Sequence, residues 1–233
     1  GLHMARPNRE KVRSAASDFL YLLNRGYPRA PSLQLVGNRY NLDAMARNLL
    51  HRGVFAREEA RRRRARLVGV DQLRDDRLLV DGHNVLITTE SALAGRPLIA
   101  ANDGVIRDIA GISHRYRLSS LTHEATVLIF QVLHSHPPRE TLFYLDAPIR
   151  HSGELAGMLR ACLKRWKLPG NAQALKVPER HLTGAQGIVA SSDSAVLDKI
   201  RKGCDLAAAV IYSLTQPVEL ISFLGLDETG SVC

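Results

Sequence analysis

Three short apolar runs in this chain each end in an aspartate: Leu78-Leu79-Val80-Asp81, Leu142-Phe143-Tyr144-Leu145-Asp146 and Ile188-Val189-Ala190-Ser191-Ser192-Asp193. Runs of that length read as buried strands of a parallel sheet. The carboxyl ends of parallel strands lie along one edge, and ligands bind in the crevice there. Three carboxylates on one edge repel one another unless a cation sits between them. Hard cations such as Mg²⁺ and Mn²⁺ take oxygen ligands, often one or two carboxylates together with water and a substrate phosphate. Two such ions can clamp the attacking and leaving oxygens of a phosphodiester displacement. Helix capping explains a single strand-end aspartate equally well. It suits Asp193, which precedes Ser194-Ala195-Val196-Leu197, and suits Asp81 poorly, because Gly82 and Asn84 read as a tight loop. A phosphate or nucleotide site without metal is the third option.

A further acidic stretch follows the run Leu98-Ile99-Ala100-Ala101: Asn102-Asp103-Gly104-Val105-Ile106-Arg107-Asp108. Asp103-Gly104 is an ordinary turn signal, and Arg107-Asp108 reads as a local ion pair of small worth at a surface. Asp103 ranks ahead of Asp108 as a functional acid. Asp205 reads as a helix cap or an outer acid of the site. His83 lies inside the Asp81 loop, where it could meet a phosphate, whereas His134 and His136 read as surface residues. The chain has neither a GxxxxGK[ST] phosphate loop nor a Gly-x-Ser-x-Gly elbow, which argues against an ATPase and a serine hydrolase.

The elements that hold these residues alternate. After Leu78 come strands at 78–80, 98–101, 141–145, 172–177, 187–190 and 218–223, with helices at 121–134, 153–166, 194–202 and 205–214. Strand–helix alternation implies right-handed crossovers and a mostly parallel central sheet with flanking helices. Before Leu78 the pattern is helical. Val12, Ala15, Ala16, Phe19, Leu20 and Leu23 mark a helix over 9–24. Pro31 is expected to keep the next loop open. A second helix runs from Leu42 to about Leu50 with Asn41 as cap, and a third over 56–66 spreads its arginines over more than one face. This head has few large apolar residues and is expected to pack on the following domain. The resulting division is 5–77 for a basic helical RNA-binding head and 78–233 for the α/β domain, with Gly1-Leu2-His3-Met4 read as a tag remnant.

Charge separates the two parts sharply. Residues 1–77 hold 17 Lys+Arg against 8 Asp+Glu, and residues 78–233 hold 15 against 15, so the whole net charge of +9 belongs to the head. Sixteen of those 17 cations are arginine, whose planar fork matches phosphate better than a lysine point charge. A phosphate-backbone partner is the reading this supports; a solvated basic face is the plainer one. Arg61, Arg62, Arg63 and Arg64, with Arg39 and Arg107, are the candidate contacts. The head lacks an aromatic cluster, which favours folded or duplex RNA, such as tRNA or rRNA, over stacked single strands. Cys162, Cys204 and Cys233 are odd in number and far apart, so a reducing cytoplasm is expected, with no membrane span. The sequence leaves self-association open.

Val80-Asp81-Gly82-His83-Asn84-Val85-Leu86 resembles the opening motif of PIN-like nucleases, especially the NYN branch, in which a first strand ends in an Asp-Gly-x-Asn turn. Phe143-Tyr144-Leu145-Asp146 is similar to the second aspartate-ended strand of that branch, and Val189-Ala190-Ser191-Ser192-Asp193 to the late Ser/Thr-Asp strand of PIN domains. The chain also looks like a family that joins a basic helical head to a PIN-like domain, a pattern that includes the stretch Asp103 to Asp108. The resemblance implies a PIN-like, Rossmannoid fold and metal-dependent cleavage of RNA. Asp81, Asp146 and Asp193, with Asp103 added, would hold Mg²⁺ or Mn²⁺, and Asn84 would orient Asp81 or a bound water. PIN nucleases usually carry an acid on a helix soon after the first strand; here Glu90 or Asp103 must stand in. Without it the fold would serve as a non-catalytic RNA-binding adaptor.

Overall fold

In the computed structural model, residues 8–110, 116–184 and 186–229 are described; the presumed tag at residues 1–4 and Cys233 lie outside them. The apolar spacing of the first segment produces α1 (Arg9–Asn24), with Val12, Ala16, Phe19 and Leu20 buried and the Asn8 side chain accepting from the Lys11 N–H. The stretch expected to stay open is α2 (Arg29–Arg39). Pro31 occupies its first turn, where no intrahelical N–H bond is lost and the fixed φ suits the helix. α3 (Ala44–Gly53) is capped by Asp43 rather than Asn41, whose backbone sits at φ 49°. α4 (Arg57–Arg66) buries only Ala60 and Arg63; Arg61, Arg62 and Arg64 are exposed, the last folding back to the Asn102 carbonyl.

β1 (Arg77–Asp81) follows, and Gly82 begins α5 (Gly82–Leu93) directly. The tight loop expected here is a helix start. Gly82 is present for space: a Cβ on it would stand 2.3 Å from Leu145 Cδ2 and 3.1 Å from the Tyr144 carbonyl oxygen. The remaining elements are β2 (Leu98–Ala100), β3 (Ile106–Asp108), α6 (Ser120–Ser135), β4 (Glu140–Asp146), α7 (Ser152–Arg165), β5 (Gly170–Leu175), α8 (Pro178–Gly184), β6 (Ile188–Ala190), α9 (Ser194–Leu197), β7 (Gly203–Cys204), α10 (Leu206–Ser213) and β8 (Leu220–Ser222). α9 stops after four residues, short of the helix expected to reach Lys202.

The fold is α/β, built on a five-stranded parallel sheet in the order β5-β4-β1-β6-β7 with flanking helices. From β1 the chain builds outward through β4 to β5, then returns to the other side of β1 for β6 and β7. The direction of winding therefore reverses between β1 and β6, and their carboxyl ends open the crevice where doubly wound sheets bind ligands. Val80 pairs with Ala190, which brings Asp81 beside Ser191; Asp81 itself is level with Tyr144, so Asp146 lies two residues farther along its strand.

β2, β3 and β8 form a separate three-stranded sheet, β8 running parallel to β2 and β3 antiparallel. The helical head packs on this sheet. Phe19, Leu20, Leu49 and Leu50 share one buried cluster with Ile99, Ala101, Ile221 and Phe223. Gly53 permits the contact, since a Cβ there would fall 2.5 Å from the Phe223 ring and 2.8 Å from Ile99. Among the described residues no helix is long and apolar enough to cross a membrane.

Candidate functional site

Asp81 is half-buried at the end of β1, and Ser191 Oγ donates to its Oδ2 at 2.8 Å. The same Ser191 Oγ accepts from the Asp193 N–H at 3.1 Å. Burial raises the Asp81 carboxyl to about 7 against the opposing pull of the Ser191 bond, and Asp193, Asp146 and Glu179 add repulsion in the same upward direction. Asp81 thus feels all three of the other acids. Asp193 is exposed and accepts from the N–H groups of Ala195 and Val196, so the capping role read from the sequence is present. Asp146 is half-buried, and its N–H donates to His83 Nδ1 at 3.2 Å. Asn84, in the first turn of α5, ties the two strand ends together. Its Oδ1 accepts from the Ser192 N–H at 2.9 Å, and its Nδ2 donates to Ser192 Oγ at 3.0 Å. That pairing explains the asparagine without a water or metal.

His83 is buried, its ring edge-on to Tyr116 at 5.4 Å between centroids, and burial lowers its imidazole to about 4. It is therefore a neutral, buried group in the first turn of α5, away from any phosphate in solvent. Among the described residues no group of three or more His, Cys, Asp or Glu side chains stands ready to hold a metal ion. The acids at this edge supply an all-oxygen donor set. It matches a hydrated hard cation held through one or two carboxylates, as Mg²⁺ usually is, and does not match a closed cage.

Asp103 belongs to a different structure. Its side chain is 0 % exposed, and its two oxygens accept a bidentate pair from Arg107 at 2.9 and 2.8 Å, with Arg63 at 3.1 Å. A cation there would meet two guanidiniums. Arg63 is 2 % exposed and also binds Asp198 and Glu59, and Arg107 donates as well to the Ser192 carbonyl. These two arginines, expected on the RNA face, are buried struts. Together with Arg29 they surround the Phe55 ring, their guanidinium carbons 4.4, 5.0 and 4.6 Å from its centroid. The other acids in question are engaged too. Glu90 accepts from Tyr116 and Thr122, Asp108 from Arg52, and Asp205 caps α10 while burial pushes its carboxyl to about 6. Of the remaining arginines, Arg39 and Arg61 are exposed and bridge Asp18 and Glu58, Arg62 is exposed, and Arg64 reaches the Asn102 carbonyl.

Two features were missed in the sequence. Glu179 lies in the first turn of α8, a helix too short to show periodicity, and it bridges Lys199 at 2.9 Å. The second is a cleft of about 270 Å³ between the head and the sheet edge. His51, Arg52 and Phe55 line it from the head, and Asn84, Ser192 and Asp193 from the α/β side. Nothing local in a run such as His51-Arg52-Gly53 signals that it will face residues 140 positions away.

Residues 11–66 match the family model described as Protein of unknown function (DUF434), and residues 70–209 the model described as Domain of unknown function (DUF5616). The uncharacterized protein MJ0935 of Methanocaldococcus jannaschii is 28% identical over 205 residues, which cover 87% of this chain and 98% of that protein. No solved structure matches the chain. Neither family description names an activity or a PIN-like fold, but the second match spans more than half of the chain and takes in β1, β4, β6 and all four acids of the crevice: the chain belongs to the family described as Domain of unknown function (DUF5616).

Proposed function

We propose that this protein is a metal-dependent ribonuclease acting on structured RNA, of the tRNA or rRNA kind, in the cytoplasm. The observation that carries the reading is the placement of Asp81 and Asp193 at the winding reversal, joined through the Ser191 hydroxyl, with Asp146 two residues farther along β4. Such crowding costs stability unless a positive charge relieves it, and it is accordingly found at functional sites. Asp81 and Asp193 would hold Mg²⁺ or Mn²⁺, with Asp146 and Glu179 reached through water. When bound, the ion supplies a more acidic water and charge stabilisation at the phosphate. Asn84 and Ser191 keep the two strand ends in register for this. In the reaction a water oxygen would bond to phosphorus as the bond to the leaving nucleoside oxygen breaks; the water's proton goes to solvent, and the leaving oxygen takes a proton from solvent to become a hydroxyl. The outward arginines Arg61, Arg62 and Arg64, with Arg39, would follow the RNA backbone, each contact adding salt dependence. The free thiols Cys162 and Cys204 suit a reducing compartment.

A second reading, a non-catalytic RNA-binding adaptor, draws support from the fate of two expected fourth acids: Asp103 and Glu90 are both spent on internal partners. One experiment separates the two. Labelled cellular RNA is incubated with wild type, Asp81→Asn and Asp193→Asn, in Mn²⁺, Mg²⁺ or EDTA. Cutting that needs the metal and is absent from both variants is the expected outcome. Tight, salt-sensitive binding without cutting by any of the proteins selects the adaptor.

A further inference from the structure

We propose that Arg52, contributed by the head, binds a phosphate of the RNA strand inside the cleft and so completes the site at the sheet edge; this rests on the nuclease reading of that edge. Arg52 lies in the last turn of α3, and its side chain is 24 % exposed, unlike the buried Arg63 and Arg107. Two bonds to one residue fix its plane: Nε donates to the Asp108 carbonyl at 2.6 Å, and Nη2 to Asp108 Oδ1 at 3.4 Å. Nη1 has no protein partner among the described residues. The cleft wall opposite carries Asn84, Ser192 and Asp193. Burial holds the guanidinium below its ordinary value, Asp108 pushes it back up, Arg107 lowers it, and Asp193 raises it from across the cleft.

Chemistry selects the ligand. One wall of the cleft carries Asp193, the other a half-dry guanidinium that is held by Asp108 and keeps an unused edge. A phosphodiester would bridge such walls, one oxygen toward the free edge of Arg52 and another toward the Asp193 wall, where a bound cation would supply the positive charge. A carboxylate has its two oxygens on one edge and could engage only the Arg52 wall, whereas a phosphate has oxygens for both walls. About 270 Å³ holds a nucleotide-sized group, not a helix. The head then has two separate tasks: α4 gathers the polyanion on its outer face, and Arg52 grips one phosphate beside the acids.

The test uses the full chain in Mn²⁺, with labelled RNA and a 5′-phosphorylated dinucleotide as probes, for wild type, Arg52→Gln, Arg52→Lys and the triple Arg61→Gln/Arg62→Gln/Arg64→Gln. Arg52→Gln should bind the dinucleotide about 10-fold more weakly, the loss of one charge-assisted hydrogen bond. Its cleavage rate at saturating RNA should fall about 100-fold, as when one preorganised donor to the reacting group is removed. Its affinity for long RNA should change less than about 3-fold. The triple variant should do the reverse, losing long-RNA affinity and salt dependence while keeping the dinucleotide. A wild type that binds the dinucleotide through Arg52 but cuts nothing removes the nuclease reading and leaves the subsite standing. A dinucleotide bound alike by wild type and Arg52→Gln, or by neither, overturns the subsite. Should Arg52→Gln fail to fold, Arg52→Lys decides: dinucleotide binding as tight as wild type with a point charge in place of the fork overturns it.

Discussion

Replacing Asp103 by alanine strips the acceptors from two enclosed guanidiniums at once. Arg107 loses both arms of a bidentate pair and keeps only backbone carbonyls of Ser192 and Arg52; Arg63 keeps Asp198 and Glu59. Breaking a buried pair from one side costs about 3–5 kcal/mol, most of it the burden of a charge left without its partner. Arg63's remaining partners pull the expectation to the low end, about 3 kcal/mol. For a chain of this size each kcal/mol moves the melting temperature by about 2–4 °C, so Asp103→Ala should melt about 6–12 °C below wild type. The assay is thermal unfolding by circular dichroism in EDTA near neutral pH, with urea midpoints as a second measure. Asp103→Asn, which keeps one acceptor and loses the charge, should fall between the two. A metal ligand would behave in the opposite way. Removing one of several crowded carboxylates in the absence of metal relieves repulsion and raises stability. A melting temperature that rises, or falls by less than about 2 °C, refutes the strut and returns Asp103 to the ligand set.

Asp81 should show that opposite sign. Its carboxyl is raised in the folded state, so ionising it costs stability as pH climbs from its ordinary 3.8 to about 7. That span corresponds to about 4 kcal/mol at about 1.36 per pH unit, and solvent screening of a half-covered group brings it to about 2. In EDTA, Asp81→Asn should match wild type near pH 4 and exceed it by about 2 kcal/mol at pH 8; urea midpoints showing a constant difference across that range would sink the argument. Gly82→Ala should lose about 1–3 kcal/mol by forcing a methyl into Leu145, and an unchanged urea midpoint would mean that the helix start has room to spare. Phe223→Ala should lose about 3–5 kcal/mol from the core that head and small sheet share. Because that core is common, far-UV signal and Trp166 fluorescence should melt together in wild type, and separate transitions would show that the head comes loose first.

What was legible in the sequence was short-range. β1, β4 and β6 announced themselves because each is an apolar run closed by an acid, and α1 because its buried stripe repeats at the helical period. α2 was hidden by Pro31, which looks like a breaker and is harmless in a first turn. β3 and α8 were too short to impose a period. The reading of Gly82 as a turn residue failed because its reason, the Leu145 side chain, lies on another strand. Asp103 looked like the acids at the other strand ends for the same reason: Arg63, the partner that seals it in, lies 40 residues earlier on a helix whose arginines all look alike. Where an arginine points decides its task. In the run Arg61 to Arg64 only the helical phase relative to Ala60 separates the inward residue from the outward ones.

The Phe55 ring has a consequence for how this protein can be taken apart or rebuilt. Three arginines meet on it, from α2, α4 and β3, and the carboxylate that balances two of them follows β2. Family models meet between residues 66 and 70, but this knot is tied across that seam. A chimaera that borrows either half from a relative inherits loose ends unless Phe55, Arg63, Asp103 and Arg107 travel together. A truncation begun at residue 70 would expose the apolar faces of Ile99 and Phe223 and release Asp103 from one of its two cations. The seam in the sequence is a poor place to cut the molecule.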